Sequence, residues 1–278
     1  MDIKNKVCIV TGGAHGIGRA LCRAFVQHGA RSIVVADLDL EAAEKLAQEI
    51  NGLAVRCDVG NEDDIKALVE QTRSAFGQID IFVSNAGMGI SDGPDWTAAG
   101  GSNAGWQKCW DVNVMSQVYA ARAVIPEMRE RGSGYLLNTA SAAGLLAQMG
   151  DAAYTATKHA SVAFAKSLAI THGHDGIGVS VLCPQYVATN MTGYPDDSEQ
   201  QRGDGVLEAE DVAEICVQAI NNEQFMIMPH RVVAKYTQFM NADYQKWITT
   251  MQDLRSSILK DKDAIQMQDF MQTTPKGN

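Results

Sequence analysis

Long hydrophobic runs are missing from this chain. No stretch approaches the roughly 20 apolar residues that a membrane-spanning helix requires, so no membrane span is expected. Excess positive charge is missing too: 23 Lys and Arg face 33 Asp and Glu, for a formal charge of −10 and an isoelectric point near 5.0. That balance argues against a surface for nucleic acid or anionic lipid. Metal-type cysteine spacing is absent as well. The six cysteines (Cys8, Cys22, Cys57, Cys109, Cys183 and Cys216) are scattered, form no C-x-x-C and have no histidine in ligand spacing. They read as small buried apolar residues in a reducing compartment, and no metal site is expected. The first residues, Met-Asp-Ile-Lys-Asn-Lys, lead only into a short apolar run, so no secretory signal is expected and a cytoplasmic location is. What the chain does have is core material: 46% hydrophobic and 20% charged residues over 278 positions, enough for one large α/β domain.

The organisation is an alternation of strands and helices. Val7-Cys-Ile-Val10 reads as a strand and runs into Thr11-Gly12-Gly13-Ala14-His15-Gly16-Ile17-Gly18, before a helical pattern from Arg19 to His28. Strand, glycine turn and helix are the context of a phosphate-binding loop: glycines let the backbone approach a pyrophosphate, and the helix N-terminus offers unpaired N–H groups. A simple tight turn is the bland alternative. Ser32 to Asp37 is a second strand, ending in an acid nineteen residues beyond Gly18. A carboxylate there accepts hydrogen bonds from a ribose and repels a 2′-phosphate, which favours NAD over NADP. Asp39 fits the helix N-cap before Leu40 better than Asp37 does. Leu53 to Cys57 and Ile79 to Ser84 give two more strands, separated by a helix over about Glu62 to Phe76. This rhythm predicts a parallel, doubly wound sheet.

The centre of the chain carries the chemistry. Tyr135 to Thr139 reads as a buried strand with Ser141 just beyond its C-terminal end, where open α/β sheets bind ligands. Tyr154 and Lys158 stand four residues apart in a helical segment from Ala152 to Ile170, so a phenol and an ammonium leave one helix face together. A phenol of ordinary pKa about 10 needs roughly 4 kcal/mol of help to act as a base near neutrality. The adjacent ammonium is expected to supply much of it, with Ser141 polarising a substrate oxygen. Taken alone, Tyr-x-x-x-Lys is equally the pattern of two exposed helix residues.

In order along the chain, Thr11-Gly12-x-x-x-Gly16-x-Gly18, Asp58, Asn85-Ala86-Gly87, Asn113, Ser141, Tyr154-x-x-x-Lys158, Pro184 and Thr189 resemble the short-chain dehydrogenase/reductase family, from Lys6 to about Pro229. The resemblance implies a single-domain Rossmann-type sheet of about seven strands and hydride transfer between a nicotinamide and an alcohol or carbonyl. It implies that Tyr154 is the general acid/base, that Lys158 lowers its pKa and binds the nicotinamide ribose, that Ser141 positions the substrate oxygen, and that Asn113 holds a water linking Lys158 to solvent. The cofactor residues it implies are Gly12, His15, Gly16, Ile17, Gly18, Asp37, Asp58, Val59, Asn85, Ala86, Gly87, Tyr154, Lys158, Pro184, Val187 and Thr189. Asp58 is placed to reach the adenine; Asn85 either contacts the cofactor or satisfies neighbouring strands. The helix expected from Trp106 toward Arg131, with Asn113 at mid-length, and the Tyr154 helix commonly pair between subunits in the family, so a homodimer or homotetramer is expected.

Two features depart from the family pattern. The sixth strand, Gly178 to Cys183, is followed by Pro184-Gln185 where Pro-Gly is usual, which directs a side chain toward the nicotinamide or substrate region and questions the local backbone geometry. Nearly fifty residues also follow the seventh strand, Phe225 to Pro229. The chain thus divides into a catalytic domain, 1–229, and a C-terminal helical extension, 230–278. Between Arg231 and Lys260 apolar residues recur at helical spacing, the pattern of core or subunit interface, though one that also serves to narrow a pocket mouth; Asp261 to Asn278 is polar and expected to fray. Met88 to Trp106 reads as an ordered-to-mobile loop over the sheet edge. Gln185 to Leu207 is a second loop, and Ser141, Met149, Tyr154, Gln185, Tyr186, Met191 and Tyr194 are the substrate-lining candidates. With Met88 and Leu145, the apolar members of that set suggest a hydrophobic secondary alcohol and its ketone as substrate. An NADPH-dependent carbonyl reductase and a non-catalytic nucleotide sensor on the same scaffold are the alternatives.

Overall fold

A computed structural model describes residues 1–93 and 97–260 of the chain. Seven parallel strands form one sheet: β1 (Val7–Thr11), β2 (Ser32–Asp37), β3 (Leu53–Arg56), β4 (Ile81–Ser84), β5 (Gly134–Thr139), β6 (Ile177–Leu182) and β7 (Met226–Ile227), in the order β3-β2-β1-β4-β5-β6-β7. Every pairing is parallel, which is why the strands are continuous apolar runs such as Val7-Cys-Ile-Val rather than alternating ones. Helices cover both faces. On one side α1 (Gly16–Gln27), α2 (Leu40–Ile50) and α7 (Ala209–Asn221) contribute Leu21, Phe25, Leu46, Val212 and Ile220 to the core. On the other, α3 (Glu62–Phe76), α5 (Ser116–Arg131) and α6 (Ala152–His172) bury Ile65, Leu68, Val124, Met128 and Ala165. Each fully buried Leu, Ile or Phe stabilises the fold by about 1.5–3 kcal/mol.

The strand order reverses between β1 and β4, and a crevice opens there at the strands' C-terminal ends. The glycine turn after β1, the Asn85-Ala86-Gly87 stretch after β4 and Ser141 after β5 all arrive at that edge. Helix starts are set by acids and amides: Asp39, Asn61 and Asp151 cap α2, α3 and α6, accepting from Ala42, Asp63 and Tyr154 backbone N–H groups.

Several elements differ from the expectation. Helix α1 begins three residues early, at Gly16, so the glycine turn is itself the helix N-terminus. The continuous helix expected from Trp106 to Arg131 is α4 (Asn103–Trp110), a π-turn over Asp111–Met115 and then α5. The stripe after Arg231 is two helices, α8 (Arg231–Ala242) and α9 (Tyr244–Leu259). They are separated at Asp243, whose backbone is extended (φ −153°, ψ 91°) and whose side chain accepts from the Lys246 N–H. Strand β7 has shrunk to two residues. The fraying expected for Asp261 to Asn278 falls outside the described residues. Among the described residues no helix is long and apolar enough to cross a membrane.

Candidate active site

The crevice is a cavity of about 250 Å³ lined by Gly12, His15, Gly16, Ile17, Asp37, Asn85, Ala86, Gly87, Thr139, Ser141, Tyr154, Lys158, Pro184, Gln185, Val187, Thr189 and Met191, among others. Most of the expected cofactor residues therefore meet in one groove. Two glycines of the turn are dictated by close approach. At Gly12 (φ +60°) an added Cβ would stand 2.9 Å from the Ala86 Cα, and at Gly18 it would overlap the Gly12 carbonyl oxygen. Gly18 does not line the groove; it lets the turn pack onto α1. Asp37 lies at the groove with its carboxylate oriented by the Ala14 and Asp39 N–H groups (3.0 and 3.1 Å). Such a turn, with backbone N–H groups at a helix N-terminus and an acid at the end of β2, suits a dinucleotide whose ribose carries free hydroxyls.

Other expected residues have different work. Asp58 pairs with Lys108 (3.5 Å) and accepts from the Gly60 N–H (2.9 Å), while Val59 is buried; neither lines the groove. Asn85 faces the groove and also ties three strands: its Nδ2 donates to the carbonyls of Thr11 and Gly12 (3.1 and 3.2 Å), and its Oδ1 accepts from Thr139 (3.2 Å). His15 stands between two acids, with Nδ1 2.7 Å from Asp196 and Nε2 3.2 Å from Asp39, and these carboxylates outweigh the effect of partial burial, raising its pKa.

The catalytic candidates converge. Lys158 is 2% exposed; its Nζ donates to the Thr139 carbonyl (2.9 Å) and stands 5.4 Å from the Tyr154 ring centroid. Ser141 lines the groove with the phenol; its Oγ accepts from the Ala143 N–H (3.1 Å) and donates to the Pro184 carbonyl (3.5 Å). Burial dominates the electrostatics. It pushes the Tyr154 phenol up to about 12, against the lowering influence of nearby Ser141, and pulls Lys158 down to about 8. The expectation that Lys158 supplies much of the help a phenolate needs meets an opposing effect: burial raises the phenol and lowers the ammonium itself. Asn113 is 1% exposed and turned inward by the π-turn. Its Oδ1 accepts from the Met88 N–H (2.9 Å), and its Nδ2 donates to the Met88 carbonyl (2.8 Å) and Thr157 (3.0 Å). The side chain thus holds the chain after β4.

A second cavity, about 300 Å³, adjoins the first through Gln185, which lines both. Its walls include Ala142, Leu146, Met149 and Tyr186 on one side and Tyr236, Phe239, Trp247, Met251 and Leu254 of α8 and α9 on the other. Trp247 packs on Tyr236 and Phe239 at centroid distances of 6.3 and 6.0 Å. Of the substrate candidates, Met149 and Tyr186 line this cavity and Met191 the groove. Tyr194 lines neither: its hydroxyl accepts from the Gly203 N–H (3.1 Å), and Arg202 covers its ring. Gln185 needs no left-handed backbone and is absent from the positive-φ residues. Its N–H donates to Nδ1 of His230 (3.1 Å), whose Nε2 donates to the Tyr186 carbonyl (2.9 Å). His230 is thus neutral, and its pKa is lowered by burial. Sequence reasoning missed His230 and Asp151, and it read the aromatic wall only as an apolar helical stripe able to narrow a pocket mouth. Asp151, the N-cap of α6, has its carboxyl pushed up to about 6 by burial.

The family model described as short chain dehydrogenase matches residues 6–200. The chain belongs to the short-chain dehydrogenase family. It is 34% identical to the borneol dehydrogenase of Lavandula x intermedia over 83% of this chain and 89% of that one. It is 36% identical to 3beta-hydroxysteroid dehydrogenase 2 of Eggerthella lenta over 68% and 74%. Among solved structures, a short-chain dehydrogenase/reductase from Burkholderia phymatum in complex with NAD superposes with a TM-score of 0.79 at 27% identity, covering 88% of this chain and 96% of that one. As a short-chain dehydrogenase the chain is an oxidoreductase of small molecules that uses a nicotinamide cofactor, and the glycine turn, Asp37 and Lys158 fit such a cofactor.

Proposed function

We propose that this short-chain dehydrogenase uses NAD to interconvert a hydrophobic secondary alcohol and its ketone. The observation that carries the reading is the meeting of Ser141, Tyr154 and Lys158 in a groove that opens, past Gln185, into an apolar cavity. The names of the two relatives, a borneol and a hydroxysteroid dehydrogenase, point to alicyclic alcohols of this kind. The NAD in the Burkholderia neighbour and the carboxylate of Asp37 support NAD over NADP.

In the oxidative direction Ser141 holds the substrate hydroxyl and Tyr154, as phenolate, takes its proton. Bound NAD supplies the acceptor for the carbinol hydride and, in its oxidised form, a positive charge beside the phenol. Lys158 adds its own charge and, with its proton lost near pH 8, passes protons between Tyr154 and the groove. The reading includes Asn113 as the group that fixes the Met88 backbone at the site. It also assigns residues 1–229 to the catalytic domain and 230–278 to an extension, of which α8 and α9 wall the substrate cavity. A homodimer or homotetramer in the cytoplasm completes the proposal; light scattering on the purified protein checks the subunit count.

The test is Tyr154→Phe, assayed by reduced-nicotinamide absorbance with alicyclic alcohols and NAD or NADP. Removing a positioned acid/base lowers kcat by about 10²–10⁴-fold, with NAD affinity kept within a few-fold. Normal turnover by the variant would overturn the assignment, and equal kcat/KM with NADP would overturn the cofactor preference.

A further inference from the structure

We infer that Gln185 is a specificity-determining residue that hydrogen-bonds a second oxygen on the substrate, within a few bonds of the carbinol carbon. The inference rests on the dehydrogenase reading and adds to it the substrate class: a ketol or diol carried on an apolar ring system, rather than a simple alcohol. Three observations support it. Gln185 lines both the cofactor groove, with Ser141 and Tyr154, and the apolar cavity. A substrate whose hydroxyl is held by Ser141 and Tyr154 and whose body fills the cavity must pass it. The Gln185 side-chain amide has no hydrogen-bond partner among the described residues and is half-buried. It therefore offers one acceptor and two donor hydrogens to whatever passes. The surrounding cavity is otherwise aliphatic and aromatic, its remaining polar side chains being Gln148, Thr250 and two tyrosines. Gln148 already leans toward the Met149 carbonyl (3.5 Å).

The amide is also held in place. His230, 6% exposed, accepts from the Gln185 N–H and donates to the Tyr186 carbonyl. On the other side the Pro184 carbonyl accepts from the Ala142 N–H (2.7 Å). The backbone carrying Gln185 is thus fixed to the Ser141 segment and to the start of α8 together. His230 is a positioning residue: it touches neither groove nor cavity, and it sets where the Gln185 amide stands. A fixed donor and acceptor beside a dry cavity discriminates, because an analogue lacking the oxygen leaves the amide desolvated and unpaired.

The experiment compares kcat/KM, with NAD, for an alicyclic secondary alcohol and for its analogue bearing a hydroxyl or carbonyl on the neighbouring carbon. The wild-type enzyme should prefer the dioxygenated analogue by about tenfold, the worth of one well-made hydrogen bond at ~1.4 kcal/mol per decade. Gln185→Met, close in shape and without the amide, should bring the ratio to about one. His230→Ala should reduce the ratio as well, and His230→Asn, whose Oδ1 still accepts from the Gln185 N–H, should restore it, a rescue that loss of packing alone does not give. Equal kcat/KM for the two alcohols in the wild type, or a preference unchanged in Gln185→Met, overturns the inference and leaves the dehydrogenase reading standing. Failure of the wild type to oxidise any alcohol overturns both.

Discussion

Replacing Lys158 by methionine should remove a charge that the fold is destabilised by holding. The ammonium is 2% exposed, and burial pulls it from 10.5 to about 8. At ~1.36 kcal/mol per pH unit, that gap is about 3 kcal/mol of destabilisation whenever the group is charged in both folded and unfolded chains. Methionine fills nearly the same volume but leaves the Thr139 carbonyl without its donor, at a cost of about 1–3 kcal/mol. At pH 7 the variant should therefore be more stable by about 1 kcal/mol, despite the loss of a lysine that the proposed mechanism requires. The sign then reverses with pH. Between about 8 and 10.5 the unfolded chain binds more protons than the folded one, so wild-type stability rises with pH through that window. Lys158→Met lacks this gain, and relative to it the wild type should recover about 3 kcal/mol, so that the two curves cross. Urea unfolding followed by tryptophan fluorescence at pH 7, 8, 9 and 10 measures the difference. A wild-type-minus-variant difference that does not change with pH would refute the reasoning, since the lysine would then hold the same proton affinity folded and unfolded.

Two further outcomes test the cofactor side of the groove. In Gly18→Ala the new methyl overlaps the Gly12 carbonyl oxygen, a backbone atom that cannot rotate away; the turn must shift, and NAD affinity measured by calorimetry should fall more than about tenfold, together with ~1–3 kcal/mol of stability. Wild-type affinity would show that the turn tolerates displacement. Asp37→Asn keeps an acceptor for a backbone N–H of Ala14 or Asp39 and removes the charge facing a 2′-phosphate. The NAD to NADP ratio of kcat/KM should drop about tenfold, or ~1.4 kcal/mol, and an unchanged ratio would mean that Asp37 does not select the cofactor.

The parts of this molecule that were legible in the sequence are those fixed by short-range rules. Apolar runs of strand length, the glycines after Val10 and the four-residue offset of Tyr154 and Lys158 each imply their geometry within one turn or one strand. The π-turn at Asp111–Met115 was not legible, because it differs from α-helix by one residue per turn and carries no composition of its own. The aromatic wall was half legible. Tyr236, Phe239 and Trp247 recur at the spacing of any core-facing helix, and only the extended backbone at Asp243 folds α9 back so that they close a cavity. Its signal was present: an aspartate followed three residues later by Lys246, whose N–H it accepts, is an N-cap inside what looked like one helix. His230 carried no local signal at all. Its two partners lie 45 and 44 residues away.

The effect of burial at Tyr154 follows from the same division. Sequence spacing reveals that an ammonium stands near a phenol, and Coulomb attraction between them is then easy to infer. It does not reveal how dry the place is. Here desolvation raises the Tyr154 phenol to about 12 and lowers the Lys158 ammonium to about 8, Lys158 being buried and Tyr154 partly exposed where it lines the groove. If Tyr154 is the base, as proposed, positive charge beside it favours the phenolate, and the nicotinamide cofactor that the glycine turn suits would bring that charge in its oxidised form. On the proposed mechanism, the same desolvation that makes Lys158 a liability for folding favours proton abstraction by Tyr154 when the positive charge of the oxidised nicotinamide stands beside it.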